Sequence, residues 1–415
     1  MIRAIKGTRD ILPPASAVWN EVEHAARQVF GGFNYHEIRT PIFEETALFA
    51  RGVGEETDIV SKEMYTFEDR DGSSLTLRPE NTASVIRAFI EHRMDQIPGL
   101  KKLFYIGPMF RRERPQKGRF RQFSQIGAEA IGSDFPGVDA EVIEMVAALL
   151  DACGVSGYRL LINSVGDPES RARYIAKLRE DLAPHIEALS PDSQRRATTN
   201  PLRVLDSKAE QDQPIVEKLP SIHDFLTDAC RDHFAAVRRY LDDRGIAYEV
   251  TPRLVRGLDY YTHTTFEFLH GALGAQNAIC GGGRYNGLAE SLGSKVAAPG
   301  IGFSIGEDRL VMAVEEARGG IAPIPLRLFI APMSEEAFRK GAVLAGAVRR
   351  AGGSVEVGAP AKLKRLMELA NKAGAAYTLL IGEDELAKGA YVLKAMASGD
   401  QAHVTEAELV ERMRA

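Results

Sequence analysis

The amino-acid sequence predicts an α+β body built on a mixed, mainly antiparallel sheet, carrying a helical insertion and followed by a C-terminal α/β domain. Three observations carry this. Two strand-length apolar runs, 101–110 and 121–131, flank a charged loop, the pattern of an antiparallel ribbon. Residues 168–250 read as helix and charged surface, with turns at Asn200-Pro201 and Gln213-Pro214. Past the Gly- and Pro-rich stretch 318–325, strand and helix alternate, as in a small domain with a largely parallel sheet. The expected divisions are 1–167 with 251–320 for the body, 168–250 for the insertion and 326–415 for the C-terminal domain.

From the N-terminus, Val18, Val22, Ala25, Ala26, Val29 and Phe30 recur at helical spacing, and Gly31-Gly32 is the expected stop. Residues 35–42 read as a strand whose Pro41 belongs at an edge or bulge, because proline donates nothing to a ladder. Residues 63–67 and 74–77 flank Asp69-Arg70-Asp71-Gly72, a hairpin signal, and a helix follows over 82–93. Along 121–131, Phe123, Gln125, Gly127 and Glu129 share one face by the two-residue period of a strand. An aromatic, an amide and a carboxylate on one face make a poor core and a good ligand wall. Helix 138–152 and strand 157–163 come next. After the insertion, strands are expected at 247–250, 258–268 and 277–280, then a glycine-rich turn at 281–283 and a short helix. Strand 299–306 leads into helix 307–317. The C-terminal domain should run strand 326–331, helix 334–351, strand 354–357, helix 361–373 and strand 376–381.

At 415 residues the chain exceeds a single usual core, and 26% charged with 45% hydrophobic residues describes a soluble globular protein. Cys153, Cys230 and Cys280 are far apart and belong to no Cys/His cluster, so neither a disulfide framework nor a zinc site is expected. A reducing cytoplasm is the expected location. The first ten residues have no long apolar core and no run reaches bilayer length, so neither a signal peptide nor a membrane span is expected. Against a net charge of -5, residues 111–121 hold six basic side chains and the single acid Glu113. A local sign opposite to the whole points to a polyanionic partner, although charge runs are usually solvated loops.

Residues 256–267 begin with Arg256, Asp259, Tyr260 and Tyr261, too polar for a strand core, and resemble a pocket wall. No G-x-x-x-x-G-K-[ST] and no G-x-G-x-x-G opening a βαβ unit is present, so any nucleotide must be held by side chains. Arg111, Arg256 and Arg309 suit phosphate oxygens, which guanidinium groups grip bidentately; each is also a candidate for a surface ion pair. Glu80, Glu129 and Asp259 suit an ammonium or imidazole group. Glu80 equally suits a helix dipole, and Asp259 a pair with Arg256. No Ser-His-Asp order or His-rich cluster supports a hydrolase or a resident metal, and His263 reads as an exposed neighbour rather than a base.

Taken together these pieces resemble the class II aminoacyl-tRNA synthetases, and within them the histidyl family. The segment 38–42 looks like the class motif 1 with its proline, 110–115 with 121–123 like motif 2, and 302–310 like motif 3. Leu77-Arg78-Pro79-Glu80, Val255-Arg256-Gly257-Leu258-Asp259-Tyr260-Tyr261 and Gly281-Gly282-Gly283-Arg284-Tyr285 look like the histidine-specific elements, and their occurrence in order is the strong signal. The resemblance implies activation of L-histidine by ATP to an adenylate, then transfer to the 3′ end of tRNA(His). It also implies Mg2+ entering with ATP, no zinc or organic cofactor, and a homodimer.

By the same resemblance Glu80, Asn81, Thr82 and Gln125 hold the α-amino end of histidine. Glu129, with Tyr260 and Tyr261, brackets the imidazole, one nitrogen of which donates while the other accepts. Arg111 takes the α-phosphate, Glu113, Arg121 and Phe123 the rest of the adenylate, and Arg309 the distal phosphates. Arg256 contacts both substrates, and with Arg111 it is the expected catalytic pair. Asn81, Ser124, His263, Asn286 and Glu307 depart from the family pattern. The rival reading is a non-catalytic regulatory paralogue serving a histidine-biosynthetic ATP phosphoribosyltransferase. Such paralogues lack the C-terminal domain and lose the motif arginines, whereas residues 326–415 and all three arginines are present here.

Overall fold

The computed structural model describes residues 2–54, 57–116, 118–255, 257–273, 277–321 and 326–414. Arg256 and Lys117 therefore lie outside the described residues, as does part of the stretch read as a linker. The chain divides into two compact units, Met1–Ile321 and Ala322–Ala415.

In the first unit the strands are β1 His36–Glu37, β2 Phe43–Glu45, β3 Tyr65–Glu68, β4 Ser74–Leu77, β5 Lys101–Phe110 and β6 Gln122–Ile131. They continue with β7 Arg159–Ser164, β8 Glu249–Val250, β9 Thr262–Leu269, β10 Ala278–Arg284 and β11 Gly300–Gly306. Eight of them form one sheet in the order β1-β5-β6-β11-β10-β9-β7-β8, and β2-β4-β3 form a small antiparallel sheet. Only the outer pairs β1–β5 and β7–β8 are parallel; every pair between them is antiparallel.

The β5–β6 ribbon pairs from Lys101↔Ile131 to Phe110↔Gln122. Its period separates two environments. Ile126, Ala128 and Ala130 face a core shared with helices Ala15–Gly32, Pro136–Ala152 and Glu307–Ala317. There Phe30 meets Phe104 and Phe303 edge-to-face at 5.3 and 5.9 Å, and each such fully buried side chain contributes about 1.5–3 kcal/mol. The odd-numbered residues of β6 face the other side, toward helix Thr82–Glu91 and Tyr285.

Several expectations shift for local reasons. Gly31 and Gly32 form the last turn of the first helix instead of stopping it, and the turn-off falls at Asn34, with φ 63°. The strand foreseen over 35–42 shrinks to two residues, because Arg78 Nη1 donates to the carbonyls of Thr40 (3.1 Å) and Pro41 (3.3 Å), replacing ladder partners. Gly281–Gly283 are not a turn: they lie in β10, paired on both sides. A Cβ at Gly283 would meet the Tyr261 ring and the Thr264 carbonyl, so only glycine lets the strands close there. The strand foreseen from 258 begins at Thr262, leaving 257–261 as loop.

The insertion builds a small core of its own, including Tyr174, Leu178, Leu205 and Cys230. Its helix Pro168–Leu182 is capped by Asp167, whose Oδ1 accepts from Ser170 N at 2.7 Å. Helix Asp228–Asp243 buries Phe234, Val237 and Leu241 in the core of the main sheet, which anchors the insertion to the body.

The second unit contains β12 Leu326–Pro332, β13 Val355–Val357, β14 Ala375–Ile381, β15 Tyr391–Ala395 and β16 Gln401–Val404. Their order is β13-β12-β14-β15-β16. β12 runs parallel to both neighbours, but β14, β15 and β16 are antiparallel, so the sheet is mixed where a largely parallel one was expected. The reason is the short connection between β15 and β16, too short for a crossover helix. Helix Glu335–Arg350 covers one face over Leu328, Ile330 and Leu379.

Candidate active site

The side of the sheet opposite the main core opens into two adjoining compartments. The first, about 340 Å³, is lined by Glu80, Thr82, Gln125, Tyr260, Tyr261 and Tyr285 among others. The second, about 250 Å³, is lined by Phe123, Glu267, Asp308, Arg309 and the backbone of β10. Arg111, Glu113, Arg119, Gln125 and Ser304 border both.

Glu129 is fully buried and does not itself line the first compartment, but both of its hydrogen-bond partners do. Thr82 Oγ1 donates to its Oε1 at 2.7 Å and the Tyr285 hydroxyl to its Oε2 at 2.6 Å. Burial pushes its carboxyl up to about 8, against the pull of the Tyr285 and Thr82 hydrogen bonds. A Cβ on Gly302 would fall onto Glu129 Oε2, so the first glycine of the third motif makes room for the carboxylate. Tyr261 is 7% exposed and packs edge-on to Tyr260 at 4.8 Å, and Tyr260 meets Tyr285 at 5.9 Å. Burial raises the hydroxyls of Tyr260 and Tyr285 well above their ordinary range, so both stay protonated donors.

Glu80 has two roles. Its Oε2 accepts from Thr82 N (2.7 Å) and its Oε1 from Ala83 N (3.0 Å), capping helix Thr82–Glu91, yet it also lines the compartment. Burial raises its carboxyl, while the bonds to Ala83 and Thr82 oppose that rise. A carboxylate oxygen has a second lone pair, so the cap leaves room for a substrate ammonium. Gln125 is 6% exposed with its Oε1 unpartnered, the state of a group that awaits a ligand donor.

Arg111 reaches across the boundary: its Nε donates to Pro79 O at 2.8 Å, and its guanidinium lies 5.3 Å over the Phe123 ring. Glu113 lies 3.8 Å from Arg111 Nη1 and 3.0 Å from Arg119 Nη1. Arg309 Nη1 donates to Ala278 O at 2.6 Å and Nε to Gly118 O at 3.2 Å, which fixes it along the second compartment. Asp308 beside it accepts from Arg9 (2.7 Å) and from Ser124 N (3.1 Å).

Besides Glu129, two of the residues foreseen in the site border neither compartment. Asn81 Oδ1 accepts from Thr40 Oγ1 (2.7 Å) and Arg78 Nη1 (3.3 Å), and Asn81 borders neither compartment. The Arg121 side chain packs against Gly7 and likewise borders neither. His263 is not the exposed neighbour foreseen: it is partly buried, stacks on His233 at 5.2 Å and places Nδ1 3.5 Å from Cys230 Sγ. Arg284 is fully buried against Asp139, which also accepts from His233 Nε2 at 2.9 Å. Sequence reasoning gave no role to Tyr285, although the glycine run that precedes it was the signal, nor to Glu267.

A body of mainly antiparallel sheet, with an arginine spanning two compartments and a second arginine at the start of a helix after the last strand, is the catalytic fold of a class II aminoacyl-tRNA synthetase. The comparisons with known proteins narrow this. A family model described as histidyl-tRNA synthetase matches residues 7–310, and one described as an anticodon binding domain matches 327–415. A histidine–tRNA ligase of Solibacter usitatus is 66% identical over 415 residues, covering 100% of this chain and 99% of that protein. One of Koribacter versatilis is 55% identical, covering 100% and 96%. The apo structure of S. aureus histidyl-tRNA synthetase superimposes with a TM-score of 0.83 at 40% identity, covering 100% of both chains. The chain belongs to the histidyl-tRNA synthetase family.

Proposed function

We propose that this protein is a histidine–tRNA ligase, activating L-histidine with ATP and transferring it to the 3′ end of tRNA(His). The observation that carries the reading is Glu129: a fully buried carboxylate held on one oxygen by Thr82 and on the other by Tyr285, both of which line, with Tyr261, a compartment that Arg111 joins to a second one. Glu129 accepts from one imidazole nitrogen and Tyr261 serves the other, which distinguishes an imidazole from side chains lacking one of the two functions. Glu80, Thr82 and Gln125 take the α-amino group. The substrate carboxylate then faces Arg111.

That carboxylate is already ionised, so no side chain acts as base; it attacks the α-phosphorus and pyrophosphate leaves. Catalysis is alignment plus stabilisation of charge growing on phosphate oxygens. Arg111 and Arg256 supply that charge, and Arg309 holds the distal phosphates. Adenine stacks on the face of Phe123 that Arg111 leaves open. Mg2+ would enter as part of the ATP substrate, held mainly by its phosphates; Glu113, Glu267 and Asp308 border the second compartment, but among the described residues no three carboxylate, histidine or cysteine side chains are gathered to hold a metal. Asn81 and Arg121 then act through the walls rather than by contact.

In this reading 1–167 with 251–320 form the catalytic domain, 168–250 the insertion, and 326–415 an anticodon-binding domain. The ligase acts as a cytoplasmic homodimer through the first motif, which the exposed apolar Ile42 (45%) and Phe43 (53%) support. Among the described residues no helix is long and apolar enough to cross a membrane. The purified protein should charge tRNA(His) with histidine, and Arg256→Ala should nearly abolish charging. Failure of the unaltered protein to charge any tRNA favours the regulatory paralogue.

A further inference from the structure

The loop 257–261 belongs to no ladder, so its backbone groups need partners from elsewhere. One comes from the body: Asp259 N donates to Val53 O at 3.2 Å. Further ones come from the insertion. Arg171, in the first turn of helix Pro168–Leu182, uses one nitrogen, Nη1, to donate to the carbonyls of Asp259 (3.1 Å) and Tyr261 (2.9 Å). Asn200 Nδ2, at the end of helix Pro191–Thr199, donates to Asp259 Oδ1 at 3.0 Å. A Cβ on Gly257 would come within 2.9 Å of Arg203 Nη1, so a third insertion side chain lies against the start of the loop.

We propose that the insertion is a clamp on the amino-acid site, with Arg171 a positioning residue that sets Tyr261 by bridging the two carbonyls flanking Tyr260. The proposal rests on the reading of Tyr261 as a histidine contact. Its physical basis is that a loop residue 7% exposed keeps its place only as well as its backbone is held, and a displacement near 1 Å in a site of this kind costs about a hundredfold. Arg203 extends the clamp to the opposite wall, since it and Arg196 both approach Asp58 Oδ2, at 3.7 and 3.3 Å. The insertion thereby acts on the histidine compartment, whereas the second compartment borders none of its residues.

The test is histidine-dependent pyrophosphate exchange by the full chain, with KM for histidine, KM for ATP and kcat measured separately. Arg171→Met keeps the apolar stem and removes the donors. It should raise KM for histidine about tenfold or more, the low end for loss of hydrogen bonds to a charged group, with KM for ATP within about twofold. Arg171→Lys should recover most of this, because a single nitrogen makes both bonds. In combination with Tyr261→Phe, Arg171→Met should add little further loss, as it acts through the tyrosine.

Multiplying losses in the double variant, or equal rises in both KM values with a lowered melting temperature, overturn the proposal. If Arg171→Met does not fold, Asn200→Ala makes the same test: its histidine KM should rise without change in that for ATP, and an unchanged histidine KM refutes the clamp. If Tyr261→Phe alone leaves the histidine KM unchanged, the histidine contact itself is wrong and the proposal falls with it. Activity in Tyr261→Phe that is impaired while Arg171→Met is normal sinks the clamp alone.

Discussion

Removing one hydroxyl from Tyr285 isolates the feature on which amino-acid recognition turns. Tyr285 is 1% exposed and its hydroxyl donates to Glu129 Oε2 at 2.6 Å, so Tyr285→Phe leaves half of a fully buried carboxylate without a donor. Hydrogen bonds to charged groups contribute about 1.5–3 kcal/mol, and each ~1.4 kcal/mol is one pKa unit, so the shift is about one to two units. The direction follows from which form is stabilised. The tyrosine favours ionised Glu129, so its loss moves the carboxyl upward from about 8.

The ionised form is the stronger acceptor for an imidazole N–H. In the reading proposed, kcat/KM for histidine should rise with pH through the free-enzyme value, and the inflection should lie higher in the variant. Below both inflections the variant should be about 10- to 100-fold poorer, with KM for ATP unchanged. The ionisations of free histidine enter both profiles equally and cancel in the comparison. Superimposable profiles, or an equal loss for ATP, would show that Tyr285 does not tune the Glu129 ionisation used in histidine binding.

Three further outcomes follow from other parts of the molecule. Asp139→Asn should leave the fully buried Arg284 guanidinium without its counter-charge and cost about 3–5 kcal/mol in urea unfolding; a loss under about 1 kcal/mol would show that the pair is not structural. Glu307 is fully buried, with neither carboxylate oxygen in good hydrogen-bond geometry, and burial raises its carboxyl to about 8 against only the weak pull of Ser124. Its folded value exceeds the unfolded one, so its neutral form favours folding at low pH and that advantage is lost as pH rises toward 8. Glu307→Gln should therefore gain melting temperature over the unaltered protein at high pH, by a free energy on the order of a few kcal/mol, with the difference closing near the ordinary glutamate value; a gap independent of pH would contradict this. Deletion of 326–415 should weaken aminoacylation far more than pyrophosphate exchange, and equal losses would remove the case for RNA contact by that unit.

The sheet was legible where its period was long. A ten-residue apolar run marked β5 in full, and the two-residue period put Phe123, Gln125 and Glu129 on one side of β6. Short elements were not legible, because side chains take over the satisfaction of their backbone: Arg78 does so beyond β1, and Arg171 does so in the loop 257–261. The glycine run illustrates a wrong inference from a sound propensity. Glycine favours turns, but at Gly283 it is required by the approach of Tyr261 from the loop before the neighbouring strand, a tertiary fact with no local signature. The partners of Glu129 were beyond reach for the same reason: Thr82 and Tyr285 are 47 and 156 residues away in the chain. The motifs reported which residues assemble, and the structure supplies why Glu80 is both helix cap and pocket wall.

ATP–pyrophosphate exchange with each of the amino acids in turn, without tRNA, decides whether this site selects histidine. Exchange that depends on histidine alone is the predicted result. Exchange with another amino acid at comparable kcat/KM, or none with any, would contradict the assignment of Glu129 and Tyr261 to the imidazole.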